Sequence, residues 1–363
     1  MQNPVLALGV HSNLRTGTRK DVTTIAFGVE VDEPFQTIHL DSASDFIDHL
    51  LPNGPLFRSK DLRSFATGLG APTWVFRGVD NADYPLLPTA LRDGKLLLTG
   101  GWKSLESPIS DGDQARAEYS TLLAFFWALD EQGLWIPEDS QALRSLFGPS
   151  RPDVATLSKQ RGEWLPDSLL SLAALAQHYG LPTRLLDWSY HALTAAYFAA
   201  AGTPGKRLCV WALDLSALPM VDREGRARGF LRHVSAPRAG NPNLHAQDGL
   251  FTMYTPIPFD WDAQRKATPV EQLVQSWGRI RNSPILFKIT LEGGQAEDLL
   301  RLLRRHGITA ARLLPGYAGV VKSLKERGSW GTRWGSPEGI EIPHYYLRRA
   351  EAGEAGPASD SGA

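Results

Sequence analysis

The residues best equipped for chemistry fall in three short blocks. Arg77 closes the apolar run Trp74-Val75-Phe76-Arg77-Gly78; His178 and Tyr179 open a second block that passes through Thr183, Asp187 and Ser189; Gln247 and Asp248 lie in a third. An arginine offers a planar fork of donors that fits a bidentate anion, and its structural alternative is a buried ion pair, here with Asp187. His178 and Tyr179 join a flat apolar body to a polar edge, or else they cap and fill the end of an apolar helix. Asp187 is a free carboxylate, a helix cap or a partner of Arg184. Glu118, on the helix at 115–135, either faces the site or faces solvent, and solvent is expected as the usual state of a glutamate.

Other chemistries lack their residues. The sequence has no Gly-x-x-x-x-Gly-Lys-Ser/Thr loop, no Gly-x-Gly-x-x-Gly, no Gly-x-Ser-x-Gly elbow and no His-Glu-x-x-His pair. His178 and His191 stand thirteen residues apart, too far for a one-turn metal pair, so no metal is expected. The single cysteine, Cys209, lies in the apolar run Leu208-Cys209-Val210-Trp211 and reads as a buried strand residue rather than a nucleophile. A formal net charge of -1 gives no global field for nucleic acid or an anionic membrane, so any such contact needs a local patch. Arg223, Arg226, Arg228, Arg232, His233 and Arg238 form the densest one, in a Gly-rich loop before the third block. The arginines and lysines at 301–327 are interrupted by Glu297, Asp298 and Glu326 and read as a solvated face.

The elements that must position these residues are legible in outline. Apolar and β-branched runs predict strands near 24–31, at 74–78, 208–213, 249–254 and 285–291. Helical spacing predicts helices at 42–51, 115–135, 165–178, 191–201, 296–306 and 320–327, with Asp41 and Ser42 capping the first and Gly133 and Gly180 among the stops. The implied class is α+β, with a mixed or antiparallel sheet and flanking helices. The expected organisation is an N-terminal addition at 1–70, a main domain at 71–328, an extension at 329–350 and a small polar, disordered tail at 351–363. No run of roughly 18 apolar residues and no basic-then-apolar leader is present, so a cytoplasmic protein is expected.

The three blocks together resemble the FRG domain. They read Trp74-Val75-Phe76-Arg77-Gly78 with Leu87-Pro88-Thr89-Ala90-Leu91-Arg92 behind it, then Ala176-Gln177-His178-Tyr179-Gly180-Leu181-Pro182-Thr183-Arg184-Leu185-Leu186-Asp187-Trp188-Ser189, then Asn241 to Thr252. The second block is the specific one, since Phe-Arg-Gly alone recurs by chance. A weaker similarity is to the ADP-ribosyltransferase fold, in which a first strand ends in aromatic-Arg-Gly, a second carries hydroxyl residues just before an Ala- and Phe-rich helix, and a third bears a catalytic glutamate. Arg77-Gly78 looks like the first, and Thr183 to Ser189 leading into Ala192-Leu193-Thr194-Ala195-Ala196-Tyr197-Phe198 looks like the second. The third departs from the pattern, because Gln247 stands where an acid is expected and Asp248 is its neighbour.

That resemblance implies NAD as substrate. Breaking the nicotinamide glycosidic bond builds positive charge on the ribose, so the site needs a cation for the phosphates and a carboxylate near the sugar. Gln247, Asp248 and Tyr179 are then the expected catalytic residues, and Arg77, Gly78, His178, Thr183, Asp187 and Ser189 the NAD-binding ones. Gln247 and Asp248 on one strand would face opposite sides unless a bulge intervened. The expected activity is transfer of ADP-ribose to a nucleic-acid or protein acceptor, as in a toxin or defence effector. The alternatives are an NAD glycohydrolase and a noncatalytic module for a nucleotide, RNA or protein partner.

Overall fold

The computed structural model describes residues 35–58, 74–92, 110–159, 164–215, 218, 229–256, 260–264, 267–274 and 285–329. In chain order these form β1 (Gln36–Leu40), α1 (Ala43–Leu50), α2 (Pro55–Arg58), β2 (Trp74–Val79), α3 (Asp111–Glu131), α4 (Gln141–Phe147), α5 (Val154–Lys159), α6 (Leu170–His178) and β3 (Leu186–Ser189). There follow α7 (Ala192–Ala200), β4 (Arg207–Asp214), β5 (Gly229–Val234), α8 (Pro242–Ala246), β6 (Gly249–Pro256), β7 (Leu286–Glu292), α9 (Ala296–Arg305), α10 (Ala310–Leu313) and α11 (Tyr317–Ser329). A 3-10 turn, Thr89–Leu91, follows β2, and another, Asp167–Leu169, leads into α6. Among the described residues no helix is long and apolar enough to cross a membrane.

The strands make one seven-stranded mixed sheet in the order β1-β7-β4-β2-β3-β6-β5. Only β1 and β7 run parallel; the other neighbours are antiparallel. Period-2 alternation sorts its side chains cleanly. On β4, Leu208, Val210 and Ala212 join Phe76, Ile289 and the apolar faces of α1, α7 and α9, whereas Cys209, Trp211 and Leu213 join Val75, Leu186, Trp188 and Leu250 on the opposite face. A third cluster holds α3, α4 and α6 together around Phe126, Phe147, Trp164 and Leu172.

The boundaries shift where caps decide them. Ser110 accepts from Asp113 N (3.0 Å), so α3 begins at Asp111 rather than 115, and it ends at Glu131 before Gly133, whose φ is 62°. Residues 165–166 are not helical; the chain enters α6 through the turn at Asp167–Leu169. Ser42 caps α1 by accepting from Asp45 N (3.1 Å). Residues 36–50, within the stretch expected as an N-terminal addition, supply an edge strand to the sheet and a helix packed on α9. The strand expected near 24–31, the extension at 329–350 beyond Ser329 and the tail lie outside the described residues.

Candidate functional site

The Phe-Arg-Gly run has a packing reason at both flanking positions. Phe76 is buried against α7, and Gly78 lies directly under that helix: a Cβ at 78 would overlap the carbonyl oxygen of Ala195 and press on the amide of Ala199. Ala-rich α7 brings small side chains to this contact, which lets its backbone approach the strand. Gly78, expected to contact NAD, also allows this close helix-on-strand contact. Between these two, Arg77 is left to reach sideways.

It reaches into a split in the sheet. β2 pairs with β4 from Trp74 to Val79, but with β3 it shares the single pair Phe76 and Ser189. In the gap Arg77 Nη1 donates to the main-chain carbonyl of Asp187 (2.8 Å) and lies 2.6 Å from its Oδ1. The arginine side chain is 16% exposed and the aspartate 63%. Surrounding protein disfavours the charge of Asp187, yet the guanidinium of Arg77 and the amide of Gln177 (3.0 Å) more than compensate and hold its pKa below the ordinary value.

Contacts continue from this pair around a ring. Gln177 accepts from the Thr183 hydroxyl through its Oε1. The next residue, His178, lies 2.6 Å from the amide of Asn243 through Nε2, and burial lowers its pKa, which suits a neutral imidazole accepting at that nitrogen. Asn243 begins the turn of α8 that ends at Gln247, whose N–H donates back to it (2.9 Å). The carbonyl of Gln247 accepts from Ser189 Oγ (2.7 Å), and Ser189 pairs with both Phe76 and Gly249. One rung, Phe76–Ser189–Gly249, thus crosses three adjacent strands, with Arg77 just past it on β2 and Asp248 in the turn just before β6. The structure brings Arg77, His178, Asp187 and Gln247 into this ring; Tyr179 stands outside it, 67% exposed, with its ring edge-on to His178.

Several expected placements and pairings are corrected. Gln247 and Asp248 are not on a strand: Gln247 is the C-cap of α8, and Asp248 turns the chain with a φ of 47°, so strand alternation does not govern them. The Gln247 amide is engaged by the Leu313 carbonyl (3.1 Å), while the Asp248 carboxylate pairs with Arg238 and lies 3.5 Å from His191 Nε2. Thr183 and Ser189, expected to touch NAD, are 5% exposed and spend their hydroxyls on Gln177, Leu185 N, Gln247 O and His191 N. Asp187 does not pair with Arg184. Arg184 instead meets Glu118, which is 4% exposed rather than solvent-facing. That carboxylate also accepts from Gln114 (2.7 Å) and Trp164 Nε1 (2.8 Å), four donors in all with Arg184 Nε and Nη2, so its burial is fully compensated.

Sequence reading missed Gln177, Asn243, His191 and Glu118 as parts of this framework. The signal for Gln177 was a polar side chain one residue from a helix end, inside the most specific block, and Asn243 lies inside the third block; His191 and Glu118 lie in none of the blocks. Of the basic patch, Arg232 pairs with Asp167 and Arg238 with Asp248, and residues 223–228 lie outside the described residues. Burial pushes the Cys209 thiol up to about 12, so it is inert as a nucleophile at neutral pH.

Residues 72–206 match the family model of the FRG domain. This stretch holds Arg77, Gln177, His178 and Asp187 but ends before the α8–β6 turn. No curated protein and no solved structure matches the chain.

Proposed function

We propose that the FRG-domain segment of this chain and the α8–β6 turn together bind NAD and transfer its ADP-ribose to a macromolecular acceptor. The observation that carries this is the rung Phe76–Ser189–Gly249, because it sets the three blocks of the ADP-ribosyltransferase resemblance on neighbouring strands although the sequence separates them by up to 173 positions. Arg77 grips a phosphate or ribose hydroxyl from the split between β2 and β3. Ser189 and Thr183 act through others: the one fixes the α8–β6 turn, the other fixes Gln177 and so Asp187.

The acid is Asp248. Gln247 spends its amide on Leu313, whereas the Asp248 carboxylate meets only partly exposed side chains that can exchange, Arg238 and His191. As the bond from ribose C1′ to nicotinamide breaks, the electron pair leaves with nicotinamide, positive charge develops on the sugar, and a nearby carboxylate stabilises it until the acceptor's nucleophile bonds to C1′ and loses its proton. A noncatalytic nucleotide-binding module is the second reading, favoured by the pairing of Asp248 with Arg238, which neutralises the charge catalysis would need.

Purified protein is incubated with nicotinamide-labelled NAD, with and without RNA, DNA and cell extract. Free nicotinamide is expected from wild type, a drop of about 100-fold or more from Asp248→Asn, and a loss of roughly 1–3 kcal/mol in transition-state stabilisation from Gln247→Ala through a loosened turn. Nucleotide binding with no nicotinamide release under any acceptor leaves the binding-module reading standing instead.

A further inference from the structure

His191 stands where the turn from β3 into α7 meets the turn from α8 into β6. It occupies the N-cap of α7, a position where serine, threonine, aspartate or asparagine is the usual choice, and its ring makes no capping bond. The ring faces Asp248 instead. Its Nε2 lies 3.5 Å from Oδ2, with the imidazole 68% exposed and the carboxylate 28%. The two oxygens of Asp248 are thus divided, since Oδ1 is held by Arg238. Three bonds fix this juxtaposition. Ser189 Oγ accepts from His191 N (3.0 Å) and donates to the Gln247 carbonyl (2.7 Å), and Tyr190 N donates to the Asp248 carbonyl (3.1 Å). The start of α7 and the start of β6 are therefore tied together within a residue or two of both side chains.

The transfer reaction needs more than an acid. While Asp248 steadies positive charge at ribose C1′, the acceptor's nucleophile must bond to that same carbon and give up a proton. A group beside Asp248 is therefore beside the incoming nucleophile. Two side chains meet this carboxylate among the described residues, and the guanidinium of Arg238 has no lone pair to accept a proton, whereas a neutral imidazole has one. The 3.5 Å separation is ion-pair range, and catalytic contacts commonly shorten once substrate binds. We infer that His191 is the general base of the transfer, paired with Asp248 and taking the proton of the acceptor's nucleophile. With the Nε2 proton directed at Asp248, Nδ1 receives the acceptor's proton as the new bond to C1′ forms. Nicotinamide departs with the electron pair of the old bond, and water later carries the proton away. The carboxylate offsets the charge that the ring takes on, as an aspartate does beside a catalytic histidine. This rests on the transferase reading above and adds to it the group that activates the acceptor.

Turnover of nicotinamide-labelled NAD by the full chain, in the presence of RNA, DNA or cell extract, tests it. Wild type, His191→Ala and His191→Asn are compared, each with and without added imidazole. Both variants are expected to lower kcat by about 100-fold or more while KM for NAD changes little, because a base acts on the acceptor and not on nucleotide binding. Imidazole should restore part of the loss to His191→Ala, whose shortened side chain leaves room for it. Asparagine caps helices well, so His191→Asn decides the matter by its kcat if alanine loosens the start of α7 and the protein fails to fold. Wild-type kcat in a folded variant overturns the assignment and leaves the transferase reading standing, as does a loss confined to KM. A fall in kcat that imidazole leaves unrestored in folded His191→Ala makes the histidine a positioning residue for Asp248 and overturns its proton role. No nicotinamide release from wild type with any acceptor removes the transferase reading and the base together.

Discussion

Two arginine–carboxylate pairs, formed within a few residues of each other, have opposite characters. Arg184 and Glu118 are 8% and 4% exposed, and the carboxylate is saturated by Arg184, Gln114 and Trp164. Arg77 and Asp187 pair across a split in the sheet with the aspartate 63% exposed. The first joins α3 to the approach to β3 and has no vacancy for a ligand. The second can trade partners at little cost, since an ion pair that water reaches is worth little to the fold. Burial and satisfaction, rather than residue type, separate scaffold from site.

The sharpest way to break this contrast is to empty the buried pair. Glu118→Ala leaves Arg184, Gln114 and Trp164 Nε1 without their acceptor, and equilibrium urea unfolding is expected to register a loss of about 3–5 kcal/mol. A loss below about 1 kcal/mol would mean that the pair is not the scaffold its burial implies. Next in size is Gly78→Ala, which touches neither pair but drives a methyl group into the backbone of α7. It should cost about 1–3 kcal/mol or more and weaken ADP-ribose binding as well, because β2 carries Arg77.

The smallest effect on stability falls on the open pair, and its test lies in the acid limb. Arg77→Lys and Asp187→Asn should each change unfolding free energy by about 1 kcal/mol or less, while Arg77→Lys impairs nucleotide binding nearly as badly as Arg77→Ala. The folded pKa of Asp187 lies below its ordinary 3.8, so on acidification the unfolded chain takes up this proton first. The contribution of the pair is therefore complete above about pH 3.8 and disappears as pH falls through the folded value. The stability difference between wild type and Asp187→Asn should be flat at neutral pH and close only in that acid window. A difference that closes near pH 6 would assign the effect to a histidine instead.

Much of the scaffold was readable because it depends on local periodicity. The continuous apolar run Leu208 to Leu213 and the spacing of the leucines in 296–305 predict β4 and α9 to within a residue or two, since each face must be apolar where it meets the core. The α8–β6 turn was misread as strand because Gly249-Leu250-Phe251 is a good strand start, while the preceding helix is only five residues long and capped by Asn241, too short to show a period.

By itself the sequence determined the mixed α and β class, the glycine stops at Gly133 and Gly180, the burial of Cys209 and the first two blocks, which lie within the residues that match the FRG-domain model. It also required that Arg77 have an anionic partner or a ligand. Only the tertiary structure decided which carboxylate that was, because Arg77, Asp187, Arg184 and Glu118 offer combinations that charge alone cannot rank. The sheet chose. β2 and β3 part after one rung and admit Arg77 to Asp187, while α3 carries Glu118 to Arg184 from 66 positions away, and long-range packing of that kind leaves no trace in local residue spacing.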